Sequence, residues 1–193
     1  KLGSMAAQIA PPSIREVHLE LAGELSRAPH RTISAHVLKG LLRHVLDQPV
    51  NEVSAPVVAK ERGLVLREDL NPGAHDYVSQ LTIMLRGAGE AMVAGTVFGK
   101  RELRIVRVNQ FRLEAVPEGD IIMCENDDTP GVVGNIGTAL GSAGVNIAQI
   151  YLSRDAERKT AFSLINVDSP PSVEVLEKLR RLQHMRHVRP IHL

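Results

Sequence analysis

The sequence predicts an α+β protein built from two small domains, and three patterns in its 193 residues lead to that prediction. In the first half, strand-like alternation follows a pair of helix-like stretches, which favours antiparallel strands over a doubly wound sheet. In the second half, the order of elements is β-α-β-β-α-β, which is typical of the ferredoxin-like fold. A Pro-Glu-Gly turn at residues 117–119 separates the two halves.

Composition limits the classes of function that the chain can have. Lys plus Arg number 23 and Asp plus Glu number 22, for a formal net charge of +1, so the charge excess typical of nucleic-acid or anionic-membrane binding is absent. Aromatic residues make up only 3% of the chain, which leaves few rings for base stacking. Cys124 is the only cysteine, so no internal disulfide or Cys-based zinc site can form. No apolar run is long enough to span a bilayer, and we expect a cytoplasmic location and no membrane partner.

Residues 1–12 have the pattern of a helix end. A Pro-Pro pair at positions 11 and 12 stops the helical spacing. The apolar positions that carry the spacing are Leu2, Met5, Ala6 and Ile9. A cloning scar at residues 3–5 is the alternative, but a scar is not expected to continue a helical pattern, so we favour the end of a helix that links to an upstream domain.

The first domain, residues 13–117, is predicted to have the order β-α-α-β-β-β-β. A strand with one wet face begins near Glu16, and a helix capped by Thr32 follows it. After a second helix near residues 51–62, strands are expected at residues 64–68, 77–85, 91–98 and 103–108.

In the second domain, residues 118–193, the sequence pattern separates helices from strands more clearly. Its first helix is predicted to start with Pro130 and to end at a left-handed Gly144, and its second helix covers residues 171–182. Strands are expected at residues 121–125, 145–152, 160–167 and 187–191.

The segment between the first strand and the first helix of this second domain is the best candidate binding site. Free N–H groups at a helix N-terminus favour an anion such as a carboxylate. Asp128 offers an acceptor for an ammonium group, and Asn146 supplies an amide that both donates and accepts. The backbone donors after Pro130 belong to Gly131, Val132 and Val133. Together these groups match a free amino acid.

A structural interpretation of the same residues remains open. Asp128 or Thr129 can simply cap the helix, and Asn146 can hold a turn.

Several motifs carry a resemblance to known families. Residues 126–155 resemble the ACT domain, with the pattern Asn-x-Asp-x-Pro-Gly-Val-x-Gly, a Gly-rich helix at 137–141 and Val-Asn-Ile-Ala at 145–148. The first domain resembles the intervening domain of long-form D-3-phosphoglycerate dehydrogenases. The matching segments are residues 38–42, 61–63, 91–100 and 104–106, and residues 1–9 resemble that family's helix leaving the nucleotide-binding domain.

The resemblance implies a function. Such enzymes oxidise D-3-phosphoglycerate with NAD in the first step of L-serine synthesis, and their paired ACT domains bind L-serine at the shared interface as a feedback inhibitor. In this sequence the ligand-binding positions are Asn126, Asp128 and Asn146, with the backbone of Thr129, Pro130, Gly131 and Val132 completing the site. NAD and the catalytic residues would belong to an upstream domain, so neither is expected here. The expected partners are L-serine and a second copy of the chain.

Two further interpretations remain. The ACT-like domain can serve only to assemble the oligomer, without a small ligand. A serine dehydratase subunit also carries similar paired domains, but the chain lacks the Cys cluster of its iron–sulfur centre.

Basic and histidine clusters give weaker signals. Four cations lie within eight residues and can bind a phosphate or carboxylate, or can form a solvated strand face: Lys100, Arg101, Arg104 and Arg107. His184, His187 and His192 are close in sequence, but they lie among arginines, and no metal site is predicted.

Overall fold

The computed structural model describes residues 1–46, 49–73, 76–99 and 101–193. These residues form two compact units, Lys1–Asn109 and Gln110–Leu193. Each unit combines helices with a β-sheet, which confirms the predicted α+β class. None of the described helices is long and apolar enough to cross a membrane.

The first unit has the predicted order of elements. Its strands lie side by side in the order β2-β1-β3-β4-β5, with β1 and β2 parallel and the other neighbouring pairs antiparallel. The elements are α1 (Leu2–Ile9), β1 (Glu16–Gly23), a 3-10 turn (Glu24–Arg27), α2 (His30–Leu42), α3 (Ala55–Glu61), β2 (Val65–Asn71), β3 (Ser79–Arg86), β4 (Glu90–Phe98) and β5 (Glu102–Val108).

Helix α2 begins earlier than the sequence predicted. It starts at His30 with Pro29 as its N-cap residue, and no side chain caps it. Thr32 lies inside the first turn, where its backbone N–H donates to the Pro29 carbonyl at 3.0 Å. Because the fixed φ of proline suits the start of a helix, Pro29 takes the place that the sequence assigned to Thr32.

Two glycines allow α1 to pack closely against α2. A Cβ atom on Gly3 would collide with the carbonyl oxygen of Val37, and one on Gly40 would lie 2.9 Å from the Ser4 nitrogen. The close approach buries Met5 completely. The N-terminal helix is therefore an integral part of the first unit.

The second unit has a four-stranded antiparallel sheet in the order β10-β7-β9-β8. This order with two crossover helices is the ferredoxin-like arrangement that the sequence predicted. The elements are β6 (Phe111–Ala115), β7 (Asp120–Asp127), α4 (Val132–Gly141), β8 (Ile147–Asp155), β9 (Thr160–Val167), α5 (Val173–Arg180) and β10 (Met185–His192).

The boundary between the units differs from the predicted position after residue 117. Strand β6 is an additional element, and it belongs to the second unit. Phe111 stacks on Phe162, and the side-chain amide of Asn166 donates to the carbonyls of Val116 and Glu118 at 3.2 and 2.9 Å. These contacts join residues 110–118 to the ferredoxin-like sheet.

Helix α4 begins at Val132, two residues after the predicted start at Pro130. Gly131 adopts the left-handed conformation, with φ of +91°. A residue in this conformation cannot continue a right-handed helix toward Pro130. Pro130 therefore belongs to the preceding turn.

Candidate functional site

The loop between β7 and α4 covers residues 128–131 and is held by backbone hydrogen bonds. The Asp128 N–H donates to the Lys159 carbonyl at 2.9 Å, and the Thr129 N–H donates to the Asp127 carbonyl at the same distance. Gly131 supplies the left-handed turn into the helix. The loop is therefore held both by its own backbone and by the turn between β8 and β9.

The N-terminus of α4 has no side-chain cap among the described residues. Thr129 donates its hydroxyl to the Asp127 carbonyl at 3.2 Å, and the Asp128 carboxylate contacts Arg154, so neither residue caps the helix as the structural interpretation proposed. The side chain of Val132 is buried, which leaves only its N–H for binding. First-turn N–H groups have no partner within a helix, so this end is suited to an anion.

Asn126 lies near the end of β7, and this helix begins at Val132. Ile122, Cys124 and Asn126 are spaced by two residues, so their side chains lie on the same face of β7. Ile122 and Cys124 belong to the core cluster with α4 and α5, so this is the face that the helices cover. Asn126 is only 2% exposed, and its Nδ2 donates to the Asp127 carbonyl at 2.7 Å. Its Oδ1 is buried without a hydrogen-bond partner, a situation that costs about 1–3 kcal/mol.

Asp128 is bound by an arginine that the sequence analysis missed. Nε and Nη2 of Arg154 both donate to Oδ2 of Asp128, at 2.8 and 2.7 Å. The hydrogen bonds to Asp128 raise the pKa of the Arg154 guanidinium above its ordinary value. Oδ1 of Asp128 accepts no hydrogen bond from any described residue.

Asp127 is fixed from the opposite edge of the sheet. Arg186 donates to its Oδ1 at 2.7 Å, and His184 contacts its Oδ2 at 3.3 Å. Hydrogen bonds first from Arg186 and then from His184 lower the pKa of the Asp127 carboxyl. Arginines of β8 and β10 thus bind the two neighbouring carboxylates at the start of the loop.

Asn146 lies at the other end of the sheet from Asp128. It precedes β8, whose first residue Ile147 pairs with Val167, whereas Asp127 pairs with Thr160 at the other end of β9. Asn146 donates its amide to Asp168 at 2.6 Å. The nine residues from 147 to 155 span about 25–30 Å of strand, so one chain does not bring Asn146 to Asp128.

The structure thus brings together most, but not all, of the expected ligand-binding positions. Asn126, Asp128 and the backbone of residues 129–132 converge at one sheet end, and Asn146 does not join them. Arg154 does, because the antiparallel register places Arg154 opposite Ala161, and Ala161 opposite Asn126. This cross-strand row of Asn126, Ala161 and Arg154 could have been predicted from the sequence only if the register of the β8–β9 hairpin had been known.

The basic cluster of the first unit is partly engaged by protein atoms. A register shift beside Ala94 lets Arg107 pair with Ala94 and Arg104 with Thr96, so both lie on the same face of the sheet. Arg104 also contacts Glu102 at 2.8 Å and lies over the Phe98 ring, while Arg107 donates to the Asn109 carbonyl. Arg101 is exposed, and Lys100 lies outside the described residues.

The remaining reactive groups of the chain are metal-ligating side chains and the cysteine. The part of the chain that the structure describes contains no group of three or more His, Cys, Asp or Glu side chains placed to hold a metal ion. Cys124 is fully buried, and burial raises the pKa of its thiol to about 12. A thiol in that state is inert at neutral pH.

Comparisons with known proteins agree with this architecture. Residues 1–109 match the family model of the D-3-phosphoglycerate dehydrogenase intervening domain, and residues 121–184 match that of the ACT domain. Curated relatives named D-3-phosphoglycerate dehydrogenase include one from Archaeoglobus fulgidus, 34% identical over 94% of this chain and 35% of its own length. The relative from Synechocystis is 32% identical over 88% of this chain and 31% of its own length. The relative from Bacillus subtilis is 27% identical over 100% of this chain and 37% of its own length.

The chain spans about a third of the length of the curated relatives that it matches. The match to the intervening-domain model covers more than half of the chain. The chain therefore belongs to the D-3-phosphoglycerate dehydrogenase family, through an intervening domain that is followed by an ACT domain.

Proposed function

We propose that the second unit binds L-serine as a feedback effector, in the regulatory part of an NAD-dependent D-3-phosphoglycerate dehydrogenase of L-serine biosynthesis. In this proposal NAD and the catalytic residues belong to a part of the enzyme outside this chain, the chain alone has no dehydrogenase activity, and the enzyme is cytoplasmic. The relatives' names support the reaction class. The ACT-domain match supports regulatory ligand binding.

One observation carries the amino-acid site. The buried, unpartnered Oδ1 of Asn126 lies at the same sheet end as the uncapped N-terminus of α4. Beside them, Oδ1 of Asp128 is an anionic acceptor that no described residue uses. A zwitterion satisfies all three, since its ammonium group suits the oxygens and its carboxylate suits the helix N-terminus.

A second copy of the chain completes the site in this proposal. A two-fold axis at Tyr151, the midpoint of β8, would pair the β8 strands of two copies antiparallel. Asn146 of one copy would then lie opposite residue 156 of the other, beside Arg154 and Asp128. The separation of Asn146 from Asp128 within one chain supports this shared arrangement.

The two edges of the sheet also favour pairing through β8. Strand β10 carries Pro190 and several exposed cations and histidines, which protect an edge against pairing. Strand β8 exposes Ile150 and Leu152, at 42% and 48%, and contains no proline. Because an unprotected edge with exposed apolar side chains favours strand addition, β8 is the expected interface.

Inhibition follows from linkage. A ligand shared by two copies stabilises their paired state, and it lowers activity only if that state disfavours the closed form of the catalytic part.

The alternative function for the second unit is an oligomerisation module of the same enzyme without a small ligand.

For the first unit, we propose binding of a phosphate or carboxylate at the basic cluster. The common face of Arg104 and Arg107 supports this assignment. Loss of phosphate binding in a doubly substituted Arg104→Gln, Arg107→Gln variant would support it, and unchanged binding would contradict it.

Calorimetric titration of the 193-residue chain with L-serine tests the effector site, with D-serine and glycine as controls. Selective heat release with L-serine supports the sensor. A dimer that binds none of the three supports the oligomerisation module instead.

A further inference from the structure

Arg154 forms an ion pair that leaves part of its guanidinium unused. Its guanidinium uses Nε and Nη2 on a single carboxylate oxygen of Asp128. Nη1 has no partner among the described residues. The Arg154 side chain is 66% exposed, whereas that of Asp128 is 20% exposed. The pair therefore presents an unused cationic donor beside an unused anionic acceptor.

The register of the sheet places this pair at the proposed effector site. Asn126, Ala161 and Arg154 form one cross-strand row on the face that carries the helices. Neighbouring strands are about 4.8 Å apart, so the Cα atoms of Asn126 and Arg154 are separated by roughly 10 Å. The small side chain of Ala161 lies between the two polar residues. The row is thus bounded by an unpartnered amide oxygen on one side and a cation on the other.

We propose that Arg154 binds the carboxylate of the effector, so that Asp128 and Arg154 together recognise a zwitterionic α-amino acid; this inference rests on the proposed effector function. Asp128 Oδ1 accepts the ammonium group, while the free guanidinium donors of Arg154 bind the carboxylate. The ion pair stays intact during binding, because Oδ2 of Asp128 and the Nε side of Arg154 are not needed by the ligand. Arg154 thereby adds a charged contact to the same carboxylate that the N-terminus of α4 attracts.

A pair of ligands separates the two charge contacts. L-serinamide keeps the ammonium group, the hydroxyl and the chirality of L-serine but replaces the carboxylate with a neutral amide. Calorimetric titrations of both compounds are compared for the 193-residue chain and its Arg154→Gln variant. We expect R154Q to weaken L-serine binding by roughly 10- to 100-fold, as for a lost charge-assisted contact, and to change L-serinamide binding by less than about threefold.

Arg158→Gln is the matched control. Arg158 is also an exposed arginine of this hairpin, and it forms an ion pair with Asp155 at 3.6 Å rather than with Asp128. R158Q removes the same charge and should bind both compounds as the unchanged chain does. Thermal unfolding of each variant confirms that the fold is retained.

Three results would overturn the inference. If R154Q binds L-serine as tightly as the unchanged chain, or more tightly, then Arg154 does not contact the carboxylate. If R154Q weakens the binding of L-serine and of L-serinamide by the same factor, Arg154 acts only by holding the loop. If the unchanged chain binds neither compound, the proposed effector function fails and this inference fails with it, whereas the first two results leave that function intact.

Discussion

Phe111 stacks on Phe162 with the ring centroids 4.9 Å apart and the ring planes inclined by 13°. The contact joins β6 to β9 across 51 positions of the chain, and Phe111 is almost completely buried. It therefore ties β6 to the ferredoxin-like unit.

We expect Phe111→Ala to lower the free energy of unfolding of the second unit by about 3–5 kcal/mol, because it removes a buried ring and leaves a cavity. Urea denaturation of fragments 110–193 and 118–193 provides the independent check, since the shorter fragment lacks β6. Equal stability of the two fragments would show that β6 does not contribute to the second unit.

Asn146 and Asp128 should complement each other between chains. Asn146→Ala and Asp128→Asn should each weaken L-serine binding, the latter by about 1.5–3 kcal/mol for a lost charge-assisted partner. After the two variants are mixed and allowed to exchange subunits, half of the dimers are mixed, and each carries one intact site. Calorimetry should then recover about a quarter of the wild-type number of sites.

The complementation has a clear contrary outcome. If both residues served one site within a single chain, mixing would restore no binding. Mixing each variant with itself is the control for the exchange procedure.

Strand β8 is expected to form the dimer interface. Leu152→Lys places charges of the same sign close together across the proposed two-fold axis, so sedimentation should show a shift from dimer toward monomer. Val173→Lys is the matched control, because Val173 is an exposed apolar residue on α5. Dissociation by both substitutions, or by neither, would contradict an interface at β8.

Cys124 should make stability decrease at alkaline pH. Burial raises the pKa of the folded-state thiol to about 12, whereas an unfolded thiol has a pKa of roughly 8.5. The stabilising contribution is complete below the unfolded pKa and is lost as pH rises toward 12. Urea denaturation should show a loss of about 2 kcal/mol between pH 8 and pH 10 relative to Cys124→Ala.

The same burial predicts a chemical result. The folded chain should not react with a thiol reagent at pH 8, and reactivity should appear on unfolding. Rapid modification of the folded chain would contradict the buried position of Cys124.

Asp127 should respond to the loss of Arg186. Arg186 and His184 lower the pKa of Asp127 in the folded chain, so the ion pair stabilises the fold above the unfolded pKa and this contribution is lost as pH falls through the folded pKa. Arg186→Gln should raise the Asp127 pKa toward its ordinary value, measured by NMR titration of the carboxyl carbon. Arg158→Gln, which affects a different aspartate, should leave it unchanged.

Local patterns predicted most of the elements, and the misses have physical causes. The predicted start of α4 was two residues too early. Gly131 adopts a left-handed conformation that makes the helix begin at Val132, and local sequence does not reveal that conformation. Phe111, Leu113 and Ala115 do alternate as a strand, but five residues are too short for a firm prediction. Their assignment to the second unit depends on a contact with Phe162, which no local pattern contains.

The candidate site was predictable in part. Asp128 and the backbone donors after Pro130 were predicted from neighbouring positions, which stay together because they share one short loop, whereas Asn126 was assigned only through the family resemblance. The position of Asn146 relative to Asp128 was not predictable, because it depends on the direction in which β8 returns along the sheet.

By itself, the sequence determined the α+β class, the order of elements in both units and the loop that carries the candidate site, because these follow from hydrophobic period, turn residues and neighbouring positions. Only the tertiary structure decided that Arg154 binds Asp128 and Arg186 binds Asp127. These pairs are separated by 26 and 59 positions. Their charges meet only because the strand register brings two sheet edges to the same loop, and register is a property of the packed sheet.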